Sequence, residues 1–251
     1  MVLSELTWPE VSALDAASTV VLIPTGAVEQ HGPHLPLGTD TYLATAAAQE
    51  IAAACPDIAL VTPCLWMGAS LHHMPFAGTV SASFEGYAEA LRRAVTSLAD
   101  HGFIKFMAVN GHGGNCDSNR IVFRQLRHER PTLQIAAANY FDFIEPGLLD
   151  STMEGALKSI RHACEAETSL MMHKHPSLVK VEKLRNDGLA AYPDIPGFVS
   201  NFDEITEQGS YGFATLASPH KGEAFWASII QNGAQAVRDF SAGFAYLGID
   251  Q

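Results

Sequence analysis

The chain of 251 residues is 47% hydrophobic and 17% charged, and its 15 Lys and Arg against 27 Asp and Glu leave a formal charge of −12. A chain of this length buries roughly three quarters of its unfolded surface, so one domain spanning 1–251 is expected and disorder is excluded. The acidic surplus also excludes a nucleic-acid partner, because such binding depends on Lys and Arg neutralising phosphates.

The opening stretch, with Glu5 and Glu10, lacks the basic and apolar regions of a signal peptide. No run supplies the ~20 apolar residues of a membrane span. A cytoplasmic protein without a membrane partner is therefore expected. Cys55, Cys64, Cys116 and Cys164 are too few and too scattered for a disulfide framework and form no CxxC pair, so they read as reduced packing residues.

In chain order, the apolar run 18–26 reads as a first strand and the Ala-rich stretch 41–55, stopped by Pro56, as a helix. A second strand follows at 58–63, a helix at 84–102, a third strand at 104–111, a helix at 116–130 halted before Pro131, and a fourth strand at 133–143. Continuous apolar strands alternating with helices predict an α/β protein: a three-layer α/β/α sandwich around a mainly parallel sheet. Residues 144–220 are rich in turn formers, with one helix expected near 161–173. A long C-terminal helix is expected over 221–247, interrupted near Gly233.

The chemistry clusters after the strands. Eleven His is a high count beside 15 Lys and Arg, and six of them, His31, His34, His72, His73, His112 and His162, lie in or beside turn-like segments. After the first strand, Glu29 and His31 lie two apart, so an extended backbone would aim both at one face. Asp40 follows a short loop and is either a third member of that site or a cap of the next helix. Two carboxylates and an imidazole form a mixed N/O donor set that accepts Zn²⁺, Mn²⁺ or Fe²⁺. After the third strand, Gly111, Gly113 and Gly114 permit a sharp turn with His112 at its tip. In a parallel sheet the carboxyl ends of these two strands converge. In 161–175, helical spacing puts Glu165 on the face of His162 and turns Glu167 away.

The strings PTGAVEQHGPHLPLGTD, HHMPFAGT, NGHGGN, HACEAETS and GSYGFATLASPHKGE, in this order and spacing over nearly the whole chain, resemble the creatininase (creatinine amidohydrolase) family. The resemblance implies a three-layer α/β/α fold, commonly a homohexamer, with a two-metal hydrolytic centre. Glu29, Asp40 and His112 match the ligands of one metal, and His31 and Asp40 match those of the other, with Asp40 as the bridge. His162 matches the catalytic histidine. Creatininases carry a further ligand, a glutamate, where this chain has Gly114, so Glu165 is expected to replace it on the helix-face argument, with Glu167 as the alternative. They also close a Trp-Asp pair over creatinine where this chain has Lys158 and Ser159. Creatinine is thus not the expected substrate, and the pattern looks more like branches that include formamide deformylases and a mycofactocin precursor peptidase.

The expected activity is metal-dependent hydrolysis of a small amide, formamide or cyclic amide by hydroxide generated between two divalent ions. Glu165 would hold metal or water, and His162 would pass a proton to the leaving nitrogen. Gly113 and Gly114 would stabilise the oxyanion through their backbone N–H groups, and His73 (or His72) with Thr79 would line the pocket. The alternatives are hydrolysis of a cyclic ketone or lactone by the same centre, or a non-catalytic metal or small-molecule binder.

Overall fold

The computed structural model describes residues 1–189 and 198–243. A short helix α1 (Trp8–Ser12) leads into β1 (Val20–Thr25), followed by α2 (Thr39–Ala53), β2 (Ala59–Val61), α3 (Phe84–Ala99), β3 (Lys105–Asn110), α4 (Cys116–Glu129) and β4 (Gln134–Asn139). The later chain adds α5 (Leu148–Thr152), α6 (Glu165–Lys174), α7 (Phe202–Ile205) and α8 (Pro219–Ala242). The four strands pair in parallel in the order β2-β1-β3-β4.

Helices cover both faces, which is why β1 is buried along its whole length and reads as an unbroken apolar run rather than an alternating one. Val20 and Leu22 pack with α2, α6 and α8 through Leu43, Leu170 and Phe225. Val21 and Ile23 point the other way, onto α3 and α4 through Leu91, Val95, Val122 and Leu126. Each such side chain contributes roughly 1.5–3 kcal/mol by burial, so a one-residue slip of β1 would exchange two complete cores.

The fourth strand, expected to reach 143, ends at Asn139, and Tyr140–Phe143 form a 3-10 helix; two helix starts also differ from the sequence reading. Helix α8 starts at Pro219, where Ser218 caps it by accepting from Lys221 N at 3.3 Å, and it runs through Gly233 without a break. At Gly233 a Cβ would stand 2.4 Å from Ile51 Cδ1, so this glycine lets α8 lie close against α2 instead of interrupting the helix. Residues 244–247 of the expected helix lie outside the described residues. The second difference, at 161–164, bears on the site.

The strand order also positions the chemistry. Helix α2, which follows β1, covers one face, and α4, which follows β3, covers the other. The chain therefore diverges between the carboxyl ends of these two adjacent strands, which is where open α/β sheets form a crevice.

Candidate metal centre

The loop leaving β1 carries Glu29, Gln30 and His31, and the first turn of α2 carries Asp40; all four are buried. From β3 comes His112, whose carbonyl accepts from Asn110 Nδ2 at 2.6 Å. Asn115, just beyond, ties this turn to two others: its Nδ2 donates to Gly26 O at 3.0 Å and its Oδ1 accepts from Ala69 N at 3.0 Å. These bonds bring the 69–73 loop against the strand ends.

The side chains converge tightly. Asp40 extends one oxygen to each of two histidines, Oδ1 to His31 Nε2 at 3.0 Å and Oδ2 to His112 Nδ1 at 3.1 Å. Glu29 Oε1 lies 3.2 Å from His112 Nδ1, 3.2 Å from His73 Nε2 and 3.6 Å from His162 Nδ1. Glu167 Oε2 stands 3.9 Å from His31 Nε2. Three overlapping groups each place their donor atoms within 4.8 Å of one another: Glu29, His31 and His162; Glu29, His72 and His112; His31, Asp40 and Glu167.

The ring protons follow from the hydrogen-bond network. His31 Nδ1 donates to Glu29 O at 3.1 Å, His112 Nε2 to Ala69 O at 3.1 Å, and His162 Nε2 to Gln30 O at 2.6 Å. Each of the three thus has one nitrogen pinned to a backbone carbonyl and turns the other toward the carboxylates, the arrangement that orients metal-ligating histidines. Gln30 settles a fourth ring. Its Oε1 accepts from Gly32 N at 2.9 Å, so its Nε2 donates to Gly209 O at 2.9 Å and to His73 Nδ1 at 2.7 Å. His73 is left with its proton on Nε2, facing Glu29.

Despite these close approaches, Glu29 Oε1 and Oε2 and Asp40 Oδ2 are buried with no hydrogen-bond partner of good geometry among the described residues. Buried carboxylate oxygens in that state are costly unless a cation or donor satisfies them. Protonation follows the same pattern. Burial opposes a charge on His31, yet Asp40, with Glu167 and Glu29 behind it, lifts the ring to about 10. Burial likewise opposes a charge on His112, and Glu29 and Asp40 overcome it and hold the ring well above its ordinary range. Burial pushes Glu167 up to about 7, partly offset by His31. Burial, reinforced by neighbouring cationic rings, drives His162 and His73 well down. The cluster thus attracts positive charge, and its donor set of imidazoles and carboxylates fits divalent cations.

Most of the expected site residues meet here, but two do not. Glu165 lies outside the cluster: its Oε1 accepts from Glu154 N at 2.8 Å and Lys221 Nζ at 2.7 Å, and its Oε2 from Gly155 N at 2.9 Å. The helix-face argument fails because α6 begins at Glu165, and His162 precedes it in a turn through Ala163 at φ +48°, the left-handed region. That turn re-aims the chain so that Glu167 points inward, its Oε2 accepting from Ala163 N at 2.5 Å. Thr79 is absent from the cavity lining; its hydroxyl donates to His73 O at 3.1 Å and supports the loop.

Position 114 has no room for a side chain. A Cβ there would lie 2.4 Å from Ala69 O and 2.4 Å from His112 Nε2, so the 69–73 loop occupies the space that a side chain at 114 would need. The cluster opens into a cavity of about 340 Å³, lined on its outer side by Phe141, Ile160, Arg161, Phe202, Ile205 and Tyr211. His72, His73, Gly113 and Gly114 line its floor. Phe202 packs on His73 with ring centroids 4.1 Å apart and on His162 at 4.7 Å. Sequence reasoning did not single out Gln30, Phe202, Arg161 or Tyr211. Gln30 sits between Glu29 and His31 and would be assigned by alternation to the opposite face, yet its side chain reaches His73 and Gly209.

The family model for creatininase, described as creatinine amidohydrolase, matches residues 4–237. A mycofactocin precursor peptide peptidase of Mycobacterium ulcerans is 30% identical over 258 residues, covering 96% of this chain and 94% of the relative. A creatinine amidohydrolase of Pseudomonas putida is 30% identical over 249 residues, covering 94% and 95%. Among solved structures, a mutant creatininase described as the Zn-Zn type superposes with a TM-score of 0.83 at 29% identity, over 95% of this chain and 97% of its own.

Proposed function

The chain belongs to the creatininase family, and on that premise we propose that it is a metal-dependent amidohydrolase cleaving the C–N bond of a small amide, formamide or ring amide. Glu29, His112 and Asp40 would hold one divalent cation, and His31, Asp40 and Glu167 a second, with one oxygen of Asp40 directed to each. The observation that carries this reading is the trio His31, His112 and His162, each fixed through one ring nitrogen to a backbone carbonyl and presenting the other to the buried carboxylates of Asp40 and Glu29, three of whose four oxygens have no hydrogen-bond partner among the described residues. When bound, the cations lower the pKa of a coordinated water and polarise the carbonyl of the substrate.

The protein's own groups do the remaining work. His162 is the most exposed ring of the trio and is neutral at physiological pH, because burial disfavours its charged form. With Nε2 committed to Gln30 O, its Nδ1 is free to take the proton of the attacking water and return it to the departing nitrogen. The products are a carboxylic acid and an amine. Gly113 and Gly114 line the cavity, and their backbone N–H groups would stabilise the carbonyl oxygen as it gains charge. Phe202 and Ile205 cover the rings and limit water access. Assembly into a homo-oligomer belongs to the same reading, supported by the exposed apolar side chains of Trp66, Met67, Leu71 and Met74.

The test is metal content against turnover. The purified protein should contain close to two divalent ions per chain and hydrolyse members of a formamide and cyclic-amide panel. Asp40→Ala should lose both properties. Less than one ion per chain in the parent, together with unchanged hydrolysis in Asp40→Ala, would overturn the proposal.

A further inference from the structure

The cavity outside the metal cluster contains one charged group with no evident use. Arg161 lines it, one residue before His162. Its guanidinium lies 5.8 Å from the centroid of the Tyr211 ring, and Tyr211 is anchored at the same place, its N–H donating to His162 O at 2.7 Å. Among the described residues no carboxylate comes within ion-pair distance of Arg161, and it is the one Lys or Arg among the described residues that line the cavity.

Resting on the amidohydrolase reading, we propose that Arg161 is a substrate-binding residue that takes a carboxylate, so that the amide cleaved here carries a free carboxylate together with an apolar or aromatic group. The Tyr211 ring holds the guanidinium by a cation–π contact and leaves its N–H donors toward the cavity, where a carboxylate can accept two of them in parallel. One guanidinium matches the single charge of a carboxylate; among the described residues the cavity lining offers no cluster of Lys and Arg of the kind that phosphate recognition uses. The walls opposite, Phe141, Ile160, Phe202 and Ile205, are apolar and take the rest of the molecule. Because Arg161 and His162 are consecutive, the carboxylate sits to one side of the scissile bond and Arg161 fixes which amide of the substrate reaches His162.

The experiment compares two probes that differ only in the carboxylate, N-acetyl-L-phenylalanine and N-acetyl-2-phenylethylamine. Dissociation constants are read by calorimetry on the zinc-loaded full chain, and hydrolysis is followed in parallel. The parent should bind the carboxylate probe about tenfold or more tightly than the uncharged one. Arg161→Met should remove most of that ratio without changing affinity for the uncharged probe, and Arg161→Lys should keep an intermediate ratio. A parent that binds the carboxylate probe no better than the uncharged one, or not measurably, overturns the assignment. So does an unchanged ratio in Arg161→Met, which would place the carboxylate on the metals instead. Because binding is read without turnover, the two proposals fail separately. An Arg161-dependent ratio with no hydrolysis of either probe or of the formamide and cyclic-amide panel refutes the amidohydrolase reading alone, and hydrolysis with no Arg161-dependent ratio refutes this subsite alone.

Discussion

Exchanging the carboxylates of Glu165 and Glu167 for amides separates two glutamates that sequence spacing alone confuses. Glu165 accepts three hydrogen bonds, from Glu154 N at 2.8 Å, Gly155 N at 2.9 Å and Lys221 Nζ at 2.7 Å. Lys221 is buried and also reaches Glu154 Oε1 and Leu216 O, each at 2.7 Å. In Glu165→Gln the new amide N–H₂ faces donors, and Lys221 loses its one buried carboxylate. Breaking a buried pair costs about 3–5 kcal/mol, and the two surviving partners of Lys221 put the expected loss near 3 kcal/mol. For a domain of this size that is roughly 6–12 °C in Tm. The metal content should stay at its parent value, because Glu165 points away from the cluster. Glu167→Gln should do the opposite. The amide can still accept from Ala163 N, and one of three crowded carboxylates disappears, so the metal-free protein should unfold at an unchanged or higher temperature. Its metal content should fall from two to one per chain. Differential scanning calorimetry of metal-free protein, with elemental analysis of the loaded form, reads both quantities. Loss of metal in Glu165→Gln with retention in Glu167→Gln would refute the assignment and restore the helix-face reading.

Gly114→Ala should destabilise the protein by about 1–3 kcal/mol through overpacking and weaken metal binding at His112, since its Cβ would press on Ala69 O and His112 Nε2; urea unfolding and metal titration check both. For the same reason Gly114→Glu should not restore the second metal to Glu167→Gln. A pH dependence follows from His34, which is fully buried with Nε2 2.9 Å from Thr168 Oγ1. Burial, and then the His31 charge, push it down to about 4, so the folded state keeps it neutral while the unfolded chain takes up a proton near 6.5. Its contribution is complete above pH 6.5 and is lost as pH falls toward 4, a change of about 3 kcal/mol. Urea midpoints across that window should therefore show a slope about one proton shallower in His34→Gln than in the parent; equal slopes would refute the account.

The layered α/β fold is legible in the chain because local rules suffice for it. Strands covered on both faces must be continuously apolar through their middles, as 20–24 and 106–109 are, and Pro56 and Pro131 end helices wherever they fall. Glu29, His31, Asp40 and His112 are legible as a group for a related reason: they follow two strands whose adjacency a parallel sheet requires. What no local rule contains is the turn at Ala163. Its left-handed backbone goes with long-range ties of the neighbouring His162, whose ring donates to Gln30 O and whose carbonyl accepts from Tyr211 N, and it inverts which glutamate faces the cluster. The same holds for Gln30, whose partners His73 and Gly209 lie 43 and 179 residues away in sequence, and for the 69–73 loop that fills the space beside Gly114. Sequence by itself determined the layers and placed Glu29, His31, Asp40 and His112 near two adjacent strand ends, because periodicity and strand ends act over a few residues. Tertiary structure decided which glutamate joins them, the ring orientations and the cavity wall with Arg161, because each depends on contacts between segments that chain distance does not relate.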